Sequence, residues 1–86
     1  MDINELTSIV KKKIQDEISI ENIRIEDKSF LHKNHPNNQK GKYHLKILLK
    51  SKELNKMNKI ESNKKIFKIL QTEIKQFIHS LQIFID

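Results

Sequence analysis

Apolar residues at Ile3, Leu6, Val10, Ile14 and Ile18 recur three or four positions apart, laying one stripe along a helix. Asp2 stands where an N-cap belongs, and Glu5 occupies the position that completes a capping box. Lys11 to Lys13 fall toward the far end, where cations suit the helix dipole. After Ser19 the period shortens. Ile23 and Ile25 alternate with Asn22, Arg24 and Glu26, which predicts a short strand with one covered face. Tyr43, Leu45, Ile47 and Leu49 alternate with His44, Lys46, Leu48 and Lys50 and predict a second strand. Between the two, residues 29–42 show little apolar periodicity and hold the only proline, Pro36, and the only glycine, Gly41. So long a connection predicts a hairpin with an enlarged tip, and this loop is expected to be the most mobile internal segment.

Ser51 is placed to cap a short helical piece carrying Leu54, Met57 and Ile60. Ser62 is the expected cap of a main helix whose apolar positions are Ile66, Phe67, Leu70, Ile74 and Phe77. From His79 onward the chain alternates again, with Leu81, Ile83 and Ile85 on one side of a third strand. The order α-β-β-α-α-β predicts an α+β fold, a three-stranded sheet with helices on one face. Eighty-six residues allow one domain, 1–86, with a modest core and little room for a deep enzyme pocket.

Composition narrows the chemistry. The net charge of +6 suggests anionic partners, but of seventeen cations only Arg24 is an arginine. Arginine is the better residue for planar contacts to phosphate and guanine. Isoleucine, lysine and asparagine make up nearly half the chain and alanine is absent, the mark of an A/T-rich codon bias that inflates lysine. Cysteine is also absent. That removes disulfides, a thiol nucleophile, zinc knuckles and a self-sufficient thiolate iron–sulfur site. The acidic amino terminus has no signal-peptide pattern, and no apolar run is long enough to span a bilayer. These features predict a soluble protein of the cytoplasm or an equivalent reducing compartment, with no membrane association and monomeric when alone.

Four histidines are the remaining candidates for chemistry: His32 and His35 on the loop, His44 at the start of strand two, and His79 at the start of strand three. His44 is expected to pack or hydrogen-bond at the sheet surface, and His35, before Pro36, reads as a turn residue. His32-x-x-His35 lacks the further ligands a zinc site needs, and the chain shows no obvious general base, which ranks a zinc hydrolase last. Ser29 beside Asp27 and His32 is sequence proximity without an oxyanion hole. One glycine cannot build a phosphate loop. Lys56, Lys59, Lys64, Lys65 and Lys68 form a lysine run that reads equally as a phosphate-binding face or a solvated helix face.

Three words join the pattern: Asp27-x-Ser29-x-x-His32, Tyr43-His44-Leu45-Lys46-Ile47, and Ile78-His79-Ser80-Leu81-x-Ile83. With the element order they make the chain resemble the BolA family from about Leu6 to Ile83. The resemblance implies a class II KH-like fold with a helix-turn-helix-like middle. It implies a partnership with monothiol glutaredoxins around a shared [2Fe-2S] cluster, with glutathione, and no cluster on the protein alone. By position, His79 matches the family's cluster-binding histidine, and His32 matches the loop position that supplies a second ligand in some members. In some bacterial members the family regulates transcription in the stress response and cell morphology, so the runner-up reading is a DNA-binding regulator touching phosphate weakly through Lys64, Lys65 and Lys68. Two departures bear on that choice. Leu54-Asn55-Lys56 stands where the family has Phe-x-Gly, and Ser62-Asn63-Lys64 where many members have Arg-His-Arg. A Gly-x-x-Gly loop is also lacking, which argues against a KH-type clamp on RNA. The expected role is a non-enzymatic binding module in iron–sulfur or iron homeostasis.

Overall fold

Asp2 does cap the first helix, its carboxylate accepting from the Glu5 N–H at 2.8 Å. A computed structural model describes residues 2–29 and 42–86. The loop expectation, with His32, His35, Pro36 and Gly41, therefore lies outside the described residues. Helix α1 runs Ile3–Glu17 and buries Leu6, Val10 and Ile14 on the expected stripe. Its last turn carries no base, so the lysines at 11–13 lie too early in the helix to serve its carboxyl end.

Strand β1 (Asn22–Asp27) pairs antiparallel with β2 (Tyr43–Lys50), so the hairpin forms. Strand β3 (Ile78–Ile85) pairs with the other edge of β2 in parallel, giving the sheet order β1-β2-β3. A parallel pair cannot be joined by a tight turn and needs a crossover. Three helices supply it: α2 (Lys52–Asn55), α3 (Lys59–Ile69) and α4 (Gln71–Gln76). The core is one cluster in which Leu45, Ile47 and Leu49 of β2 meet Leu6, Val10 and Ile14 of α1 and Ile66 and Leu70 of the crossover. Each such side chain removed from water contributes roughly 1.5–3 kcal/mol. The architecture is the α+β sheet-and-helix arrangement expected, with one helix more.

That extra helix corrects the reading of the crossover. Ser51 caps α2, accepting from the Leu54 N–H at 3.2 Å, and its buried hydroxyl donates to the Ser19 carbonyl at 2.8 Å. Lys56 sits in the right-handed region at φ −77°, so the turn after α2 closes without the family's glycine. The main helix begins at Lys59 and not at Ser62. Its cap is Asn58, whose side chain accepts from the Glu61 N–H at 2.8 Å. Asn58 with Glu61 is a better capping pair than Ser62, which is buried inside α3 with its hydroxyl donating to the Lys59 carbonyl. At Leu70 the dihedrals leave the helical region (φ −97°, ψ 16°), although its N–H still donates to the Ile66 carbonyl and its carbonyl accepts from the Ile74 N–H, and α4 follows at once. The stripe predicted for a single helix is thereby divided. Ile66 and Leu70 stay buried, while Ile60 and Phe67, a helical face apart from them, are left exposed.

One ion pair ties the two ends of the helical layer. Lys13 of α1 donates to the buried Glu73 carboxylate of α4 at 2.6 Å, and the second carboxylate oxygen, Oε1, has no hydrogen-bond partner among the described residues. A buried carboxylate that loses its cation is costly, whereas replacing both members by apolar groups is often neutral. Lys13→Ala is therefore expected to destabilise the fold by about 1–3 kcal/mol in urea titration. The double variant Lys13→Met/Glu73→Leu is expected to regain most of that loss.

Candidate functional site

Strands β2 and β3 run the same way, so both begin at one corner of the sheet, where antiparallel β1 ends. Asp27, Ser29, His44 and Ser80 are linked there by hydrogen bonds, and His79 joins them through a ring contact with His44. The Asp27 carboxylate accepts from the Ser29 N–H at 2.9 Å, closing a turn at the end of β1. The Ser29 hydroxyl oxygen accepts from the His44 N–H at 3.0 Å, and the His44 carbonyl accepts from the Lys28 N–H at 2.7 Å. The word Asp27-x-Ser29 is thus a clasp between the end of β1 and the start of β2. Ser29 is occupied as an acceptor in that clasp, a structural role and not that of a nucleophile.

The pairing of β2 with β3 carries an irregularity here. Tyr43 faces Ile78 and His44 faces Ser80, so His79 is the extra residue of a β-bulge. In a regular strand His79 would point away from the face that holds Ser80. A bulge re-aims its side chain. The His79 ring lies 4.9 Å from the His44 ring, centroid to centroid, in an edge arrangement with 64° between planes. His79 is exposed, whereas His44 is only 5% exposed and its Nδ1 is hydrogen-bonded to the Ser80 hydroxyl at 2.7 Å. His44 accordingly packs and hydrogen-bonds, and His79 is the imidazole open to a partner. Among the described residues no three ligating side chains gather. His32 lies outside them, three residues beyond the anchored Ser29.

The lysine candidates separate. Lys64 and Lys68 are exposed on α3, but Lys65 donates to Glu53 at 3.1 Å. Lys65 and Lys68 also border a groove of about 550 Å³ against α1 that Asp16 and Glu17 line from the other side. Carboxylates there oppose a phosphate backbone. Ser62-Asn63-Lys64 lies inside α3 and not before the main helix. On the sheet face away from the helices, Lys46 sits 4.9 Å over the half-exposed ring of Phe84. Two carboxyls are held below their ordinary range. The hydrogen bond from Lys65, then that from the Ser19 N–H, lowers Glu53. The hydrogen bond from Lys28 is the chief cause at Glu26, with Arg24 and Lys46 adding charge.

Sequence reasoning placed His79 and His44 at strand starts but missed their contact and the bond from His44 to Ser80. The only signal was that each of the two follows an apolar residue at a strand start, Tyr43 and Ile78, which says nothing about register. Comparison with known proteins adds the family. The sequence pattern described as BolA-like protein matches residues 14–85. The fold is similar to the BolA domain of SufE1 from Arabidopsis thaliana, with a TM-score of 0.78 and 22% identity over 92% of this chain and 87% of that one. It is also similar to BolA1 from Arabidopsis thaliana (TM-score 0.75, 24% identity, 91% and 86% covered). BolA1 from Mus musculus gives a TM-score of 0.72 at 17% identity, covering 90% of this chain and 60% of that one. No curated protein sequence matches significantly.

Two measurements check the electrostatic description. A carboxyl lowered by folding stabilises above its ordinary value of 4.5, and that stabilisation is lost as the pH falls through the lowered value. Glu53→Gln is therefore expected to flatten the loss of stability below pH 4.5, read as urea midpoint against pH. DNA binding, measured by fluorescence anisotropy, is expected to be weak, insensitive to sequence and steeply reduced by salt. Lys64→Ala with Lys68→Ala should lower it more than Lys65→Ala.

Proposed function

This chain belongs to the family of BolA-like proteins, and on that premise we propose that it is a non-enzymatic adaptor that binds a monothiol glutaredoxin and shares a [2Fe-2S] cluster with it through histidine. The observation that supports this reading most directly is His79, an exposed imidazole re-aimed by a bulge at the sheet corner in a chain without a thiolate. In the cytosol or another reducing compartment, the glutaredoxin thiol and glutathione supply the sulfur ligands. The role that follows is in iron–sulfur or iron homeostasis.

The donor set suits a share of a cluster and not a whole one. Such a cluster takes four protein or small-molecule ligands, and histidine can stand for cysteine on one iron, as in Rieske centres. His79 would hold the iron, and His32 is the second proposed ligand. When bound, the cluster supplies an exchangeable iron–sulfur unit. The chain's own residues do the rest. The bulge aims His79 outward, the Asp27–Ser29 clasp anchors the chain from which the His32 loop departs, and the missing thiolates make retention depend on the partner. A cluster held in that way forms only in the complex and is released when the complex parts.

Mixing the protein with a monothiol glutaredoxin, glutathione, iron and sulfide should give a heterodimer with visible absorption and circular dichroism distinct from the glutaredoxin's own cluster. His79→Ala is expected to remove the nitrogen-ligand signature in pulsed electron paramagnetic resonance, and His32→Ala to weaken it less. An unchanged spectrum in His79→Ala would overturn the assignment.

A further inference from the structure

His44 lies on the sheet face that carries no helix, a place where a strand side chain is ordinarily wet. Its ring is nevertheless buried, and hydrogen bonds to described residues fix it: Ser29 at its N–H, Lys28 at its carbonyl and Ser80 at Nδ1. Beside it, His79 is exposed, and its described contact is the edge of the His44 ring at 4.9 Å. A fixed ring thus abuts an exposed one. Edge-to-face ring pairs have a preferred arrangement, so a rigid partner selects among the rotamers of its neighbour.

We propose that His44 is a positioning residue for His79: held by Ser80, its buried ring sets the rotamer in which the bulged His79 presents its imidazole. This rests on the reading of His79 as the cluster ligand. The partition of roles follows from burial and bonding. The ring that is enclosed and tied to Ser80 is the support, and the ring that the bulge turns outward is the donor. Ser80 belongs to the same device, because it is both the residue next to His79 in the chain and the residue opposite His44 in the ladder. Any displacement of the bulge moves Ser80 and the ring it holds together with His79. Residues that orient a metal-binding histidine without touching the metal commonly alter metal affinity tenfold or more.

The test has two arms. The first uses the protein without cluster and measures the His79 χ1 rotamer populations from three-bond NMR couplings in wild type, Ser80→Ala, His44→Ala and His44→Phe. Wild type is expected to hold one dominant rotamer, His44→Ala to average over several, and His44→Phe, which keeps a ring at the contact, to restore most of the preference. Ser80→Ala, a surface change that leaves the core intact, should give an intermediate result and covers the case in which His44→Ala does not fold. Equal rotamer populations in wild type and Ser80→Ala, with the same populations in whichever His44 variants fold, would overturn the proposal. The second arm records nitrogen couplings and cluster loss to a chelator in the complex with glutaredoxin and glutathione. Ser80→Ala and His44→Ala should keep a nitrogen ligand but lose the cluster roughly tenfold faster. Loss of the nitrogen coupling in His44→Ala with its retention in His79→Ala would make His44 the ligand and overturn the proposal. A wild-type complex without nitrogen coupling would instead overturn the adaptor reading, and the rotamer arm would still decide the role of His44.

Discussion

The structure depends on one strand satisfying two different ladders. β2 is hydrogen-bonded antiparallel to β1 on one edge and parallel to β3 on the other. Its side chains alternate between a face that must be apolar and a face that need not be. Leu45, Ile47 and Leu49 face the helices, and a slip of one residue would send His44, Lys46 and Leu48 into the core. Burial therefore fixes register on both edges at once. The parallel edge then requires a crossover, which is why three helices lie between β2 and β3 in a chain this short.

The helical layer meets that demand by turning twice. Ser51 joins α2 to the segment before β1, Asn58 restarts the chain as α3, and α4 follows at Leu70 and ends where the Phe77 carbonyl accepts from the Tyr43 N–H at the head of the sheet. Each turn uses a side-chain cap or a buried leucine and no glycine. The ion pair of Lys13 with Glu73 closes the layer against α1. Much of the apparent basicity is taken up in this way. Lys13, Lys28, Lys52, Lys65 and Arg24 all face carboxylates.

The same constraint creates the histidine corner. Parallel strands start side by side, so β2 and β3 bring their first residues together, and the antiparallel partner ends where they begin. A bulge at that point costs little, because the ladder has barely started, and it turns one side chain out of the alternation. The result is an enclosed imidazole, His44, beside an open one, His79. For an adaptor that contributes part of a ligand set, openness at one ring and rigidity at its neighbour are complementary requirements: the first admits the partner, and the second limits the entropy lost on docking.

Periodicity alone determined the elements whose partners are local. The α1 stripe, the alternation of β1, β2 and β3 and the Ser51 cap are all written in residues a few positions apart, and helix capping and strand alternation act over that range. The same is true of His79 as a strand-start residue and of the absence of thiolates. What the sequence left undecided is what depends on distant neighbours. Ser62 looks like a cap until Asn58 is seen to serve and Ser62 to be buried, and Phe67 looks like core until α3 is seen to turn Ile66 and Leu70 inward and leave Phe67 exposed. The role of Asp27 and Ser29 as a clasp, and the meeting of His44 with Ser80 and His79, need strands far apart in the chain to align with one residue to spare. No spacing within the chain encodes a bulge between strands whose pairing is set by the packing of a whole layer of helices.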